Sequence, residues 1–67
     1  MPKLRPRELE AIRLFHQGKS EKEVMVLLVL VPTTLEDLRK RVFEQLGVST
    51  WECAYGEAEK LGYLKDN

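Results

Sequence analysis

Pro32 is the residue that most limits how this chain can fold. It ends an eight-residue apolar run, Val24 to Val31, and opens the most regular amphipathic stretch in the sequence. A proline cannot sit inside the preceding helix and pushes Val31 towards an extended conformation. It fits the first position of the next helix, where its missing N–H costs nothing. Beyond it, Leu35, Leu38, Val42 and Leu46 recur at helical spacing and put one apolar stripe on one side. Thr33, Glu36, Asp37, Lys40, Arg41 and Glu44 project away from that stripe. Thr33 with Glu36 offers a capping box, so the helix start could slip by one or two residues.

The run before Pro32 has two readings. It is apolar throughout, so no single helical face can hide it, and its valines would suit a short buried strand. Ser20-Glu21-Lys22-Glu23 is a capping box, however, and it commits the chain to a helix from Ser20 to about Leu28, followed by a turn at Val29–Val31. If Val26, Leu27, Val29 and Val31 are not absorbed by the core, they form an apolar surface patch.

Two more helices complete the outline. Pro6 opens one that runs to Gln17, with Leu9, Ala11, Ile12, Leu14 and Phe15 on a broad arc and Gly18 after its end. Glu8 falls within that arc and is assigned to capping the helix start, where the dipole favours negative charge. His16, beside the arc, is expected to be packed or half-exposed. Ser49-Thr50-Trp51-Glu52 reads as a further capping box, opening a helix from about Ser49 to Leu61 that Gly62 closes. Gly56 within it either permits a close helix approach or is simply tolerated. Cys53 is expected to be a small core residue. Leu4, Tyr63 and Leu64 can fold back on the core, with Met1–Arg5 as an arm and Lys65–Asn67 frayed.

The expected fold is therefore all-α, one domain over residues 1–67, with helices at about 6–17, 20–28, 32–46 and 49–61. A short scaffold helix, a tight turn and a presenting helix together make the plan of a helix-turn-helix module. A chain of this size buries only about 60% of its unfolded surface, so its stability margin is thin. The single cysteine allows no disulfide, and with no signal-peptide pattern at Met1–Glu10 it points to a reducing, cytoplasmic setting. No apolar run approaches the roughly 20 residues of a membrane span. One cysteine and one histidine cannot make a Cys/His metal site. With no glycine-rich phosphate loop and no histidine near Cys53 in sequence, neither an enzyme nor a cofactor or small-molecule substrate is expected.

Leu4, Pro6-Arg7-Glu8-Leu9-Glu10, Gln17-Gly18, Ser20-x-Lys22-Glu23-Val24, Thr34-Leu35, Val42-Phe43-Glu44-x-Leu46-Gly47-Val48-Ser49, Ala58 and Leu61-Gly62 follow one another in a set order and spacing. In that order and spacing they resemble the LuxR/GerE-type helix-turn-helix domain of bacterial regulators. The resemblance spans Leu4 to Leu64. It implies four helices, the third reading the DNA major groove and the fourth often dimerising. Carried over, it makes Thr33, Thr34, Glu36, Asp37, Lys40 and Arg41 the candidate DNA-facing residues. Trp51, Tyr55 and Glu59 become the candidate dimer contacts.

The chain departs from the family at its reading surface. Glu36, followed by Asp37, stands where the pattern has a lysine; Val26 and Leu27 replace basic or polar residues; Val29 and Val31 replace the turn glycine and a serine cap; Arg5 replaces a capping threonine. Eleven basic residues balance eleven acidic ones, without the basic excess usual in a free-standing DNA-binding domain. Two functions are thus expected. One is transcriptional regulation through duplex DNA, weak as a monomer, with Arg39 packing or pairing with a carboxylate such as Glu8. The other is a helix-turn-helix turned to protein contact through Val26, Leu27, Val29 and Val31, with a second copy or a transcription protein as partner.

Overall fold

Pro32 is the first residue of a fifteen-residue helix, and the rest of the fold is arranged on that helix's apolar stripe. The computed structural model describes residues 4–64 as α1 (Pro6–His16), α2 (Glu21–Leu28), α3 (Pro32–Leu46) and α4 (Trp51–Lys60), with no strand among them. The arm residues Met1–Lys3 and the tail Lys65–Asn67 lie outside the described residues.

Each helix start shows which local signal prevailed. In α3, Val31 is the cap, and its carbonyl accepts from the Leu35 N–H at 3.0 Å, with no side-chain cap. Thr33 already lies within the first turn, so the Thr33–Glu36 box does not form. In α2 the box forms as expected: the Ser20 N–H donates to Glu23 Oε1 at 3.0 Å, and the Glu23 N–H donates to Ser20 Oγ at 3.2 Å. The Ser20 backbone N–H, then its hydroxyl, hold the Glu23 carboxyl below its ordinary range. A depressed carboxyl stabilises this end at neutral pH, and that contribution fades as the pH falls through the folded value.

In α1 the Arg5 N–H donates to Glu8 Oε1 at 2.8 Å, which gives the buried Glu8 the capping role its position suggested. For α4 the expected box shifts by one residue. Thr50, not Ser49, is the cap, its Oγ1 accepting from the Cys53 N–H at 3.1 Å. Position three of the helix is then Cys53, which cannot reciprocate as Glu52 was expected to.

The apolar run before Pro32 is helix, not strand. α2 continues to Leu28, and only Val24 of the run is fully buried. At the end of α3, Gly47 adopts a left-handed φ of 66°, which lets the Val48 N–H return to the Phe43 carbonyl at 3.0 Å.

α1 packs against the other three helices, and α3 packs against α4. Two buried clusters result. Ile12, Val42, Leu46, Ala54, Ala58 and Leu64 form one, and Ala11, Val24 and Leu35 the other. Leu38 and Trp51 pack against both. The Trp51 ring stacks on Phe15 at 4.4 Å between centroids and meets Phe43 edge-on at 5.0 Å.

Leu4 and Tyr63 pack on the first cluster and Leu64 is part of it, so both described ends fold back as expected. Cys53 is exposed, contrary to the expected core role, because the buried ridge of α4 is carried by Ala54 and Ala58. Gly56 is exposed, and a Cβ added there would have nothing within 4 Å, so no helix approaches it closely and it is merely tolerated. No helix among the described residues is long and apolar enough to cross a membrane.

Candidate contact surface at the corner between α2 and α3

The helical period of α2 sends Val24 inward and Val26 and Leu27 outward. Val26 is 75% exposed, Leu27 56%, Val29 85% and Val31 60%. The core therefore does not absorb these four side chains. Val26, Val29 and Val31 line a shallow depression at the turn together with Lys22, Met25, Leu30 and Pro32, while Leu27 is exposed on α2 outside it.

Val29 is the most exposed of the four and also the strained one. Its backbone is left-handed, φ 55° and ψ 55°, and it is the one non-glycine residue with positive φ among those described. For a β-branched side chain this is an outlier costing about 1–2 kcal/mol. The geometry closes α2, since the Leu30 N–H returns to the Met25 carbonyl at 2.8 Å. Glycine would do the same without the steric cost. A strained, solvent-facing valine gains nothing from packing within the monomer.

Next to the patch, α3 turns its polar side to solvent. Thr33, Thr34, Glu36, Asp37, Lys40 and Arg41 are all exposed. They do not form one uniform surface. Glu36 lines a groove on one flank of α3 with Glu21, Arg39 and Trp51, whereas Asp37 lines a groove on the opposite flank with Arg5, Arg7, Glu8 and Arg41. Sequence reasoning missed the second groove, because the arginines of the α1 start and of α3 are far apart in the chain. The 100° step between consecutive helical residues was the available signal that Glu36 and Asp37 diverge.

The expected Arg39–Glu8 pair is not present. The two residues line different grooves, Glu8 is committed to the Arg5 N–H, and the one ion pair among the described residues is Lys60–Glu57 at 3.8 Å. Arg39 is half-buried and lines a groove with Met25, Leu35 and Trp51, in line with the packing alternative rather than the pairing one.

The candidate dimer residues of α4 are unequally available. Trp51 is half-buried between the two aromatic partners named above. Tyr55 is half-buried with its ring stacked at 3.6 Å on His16, which is exposed rather than half-exposed, and Glu59 is exposed. Among the described residues no three His, Cys, Asp or Glu side chains come together as a metal could require. Compared with family models, curated proteins and solved structures, the chain matches none.

Proposed function

We propose that this chain is a helix-turn-helix scaffold whose working surface, the corner between α2 and α3, meets protein. The observation that carries this reading is the exposure of Val26, Leu27, Val29 and Val31 in so small a domain. Burying a side chain of this size is worth roughly 1.5–3 kcal/mol, and a chain with a thin stability margin leaves four of them outside. Exposed apolar surface, here continuous over Val26, Val29 and Val31, marks interaction sites on soluble domains. The resemblance to LuxR/GerE-type domains makes a transcription protein or another copy of the chain the natural class of partner.

A second reading, transcriptional regulation by duplex DNA, is favoured by the exposure of Thr33, Thr34, Lys40 and Arg41 along α3. It is opposed by Glu36 and Asp37 near the groove-facing end, which would repel phosphates, and by the zero net charge. Titrating a labelled pool of mixed-sequence duplexes at ~50 mM salt separates the two readings. Protein contact predicts no saturable binding. Saturable binding that weakens steeply with added salt would transfer the function to DNA.

A further inference from the structure

We infer that the partner of this corner is a second copy of the chain, docked across a two-fold axis that passes beside Val29. This inference rests on the protein-contact reading and names the occupant of that surface.

The patch has unlike flanks and is continuous with both. Met25 and Pro32 belong to the patch and to the groove containing Glu21, Glu36 and Arg39. Leu30 belongs to the patch and to the groove containing Arg5, Arg7, Arg41 and Asp37. The first flank has two carboxylates against one guanidinium. The second has three guanidiniums against Asp37 and Glu8, and Glu8 is buried and accepts from the Arg5 N–H. An apolar centre thus separates an acidic side from a basic side.

A two-fold rotation about an axis in the contact plane, perpendicular to the line joining the two flanks, brings each side of one copy opposite the other side of its mate. The acidic flank then faces the basic flank twice over, while the apolar patches, each edged by Lys22, meet at the centre. The same surface is complementary to itself, and the zero net charge removes long-range repulsion between copies. A stable interface needs roughly 800 Å² per partner, more than four side chains provide. The flanking grooves supply the remainder, so the expected dimer is reversible. The strain at Val29 also finds a reason here: a glycine would relax the turn but leave the centre of the contact empty.

The test is sedimentation equilibrium of the full chain from micromolar to about millimolar concentration at low salt, with helical circular dichroism as the folding control. Wild type is expected to show a reversible monomer–dimer equilibrium. Leu27→Glu should weaken it by roughly tenfold or more with the helical signal unchanged. Val29→Gly should raise the melting temperature and weaken association, two effects of opposite direction. Glu36→Arg and Arg41→Glu should each weaken self-association, and an equimolar mixture of the two variants should restore it as a heterodimer. A wild type that stays monomeric throughout overturns the second copy as partner, while the protein-contact reading still stands on the duplex titration. A dimer indifferent to Leu27→Glu and to the charge exchange forms elsewhere on the molecule and overturns the proposal as well.

Discussion

Trp51→Ala is expected to lower the stability of the domain by about 2–4 kcal/mol, scaled down from the 3–5 typical of fully buried large aromatics because the ring is half-buried. At ~0.05–0.15 kcal/mol per residue, a domain of this length has only about 3–10 kcal/mol in total. The substitution removes the stacked contact with Phe15, the edge contact with Phe43 and a side chain that packs against both buried clusters. It therefore uncouples α4 from the corner built by α1, α2 and the start of α3. Urea unfolding followed by circular dichroism measures the loss. A shift of less than ~1 kcal/mol, with association altered instead, would mean that Trp51 serves a dimer contact through α4 rather than the monomer's packing.

Glu8→Ala is expected to cost about 1–2 kcal/mol, seen as a fall in melting temperature of roughly 4–8 °C per kcal/mol. Glu8 Oε1 is the acceptor for the Arg5 N–H, and Arg5 provides no side-chain cap of its own. Alanine leaves that donor without its partner at the helix start and a gap where a buried side chain stood. Glu8→Gln keeps an amide oxygen in the same place, so it should lose less than the alanine variant. Equal losses for the two would show that the charge at the α1 start, rather than the hydrogen bond, matters.

The four helices were legible in the sequence because their ends are marked by short-range chemistry: Ser20 with Glu23, Pro6 and Pro32 at first positions, and glycines after the ends. What was misread depends on choices that local pattern does not settle. Ser49 and Thr50 both offer a hydroxyl one residue apart, and only packing decides which one caps α4. That one-residue choice, with Ala54 and Ala58 forming the buried ridge, also places Cys53 in solvent.

The apolar run from Val24 to Val31 has no polar residue to mark its outer face. Its division into inward Val24 and outward Val26 and Leu27 follows only once the capping box sets the phase of α2. The contact surface was half legible. Its apolar centre could be named from the run, but its charged flanks could not. Arg39 and Glu8 both lie near α3's buried stripe, and sequence spacing does not say that they lie on opposite sides of it. Arg5 and Arg7 come to line one groove with Arg41 only through the packing of α1 on α3.

Everything proposed for the corner between α2 and α3 requires that its apolar side chains stay uncovered in the monomer. The most direct measurement is the relaxation of valine and leucine methyl groups by a soluble paramagnetic agent, at a concentration low enough for the chain to be monomeric. Methyls of Val26, Leu27, Val29 and Val31 should relax as surface groups do, while those of Val24 and Val42 should be shielded. Val26 and Leu27 methyls as protected as those of Val24 in the monomer would contradict it.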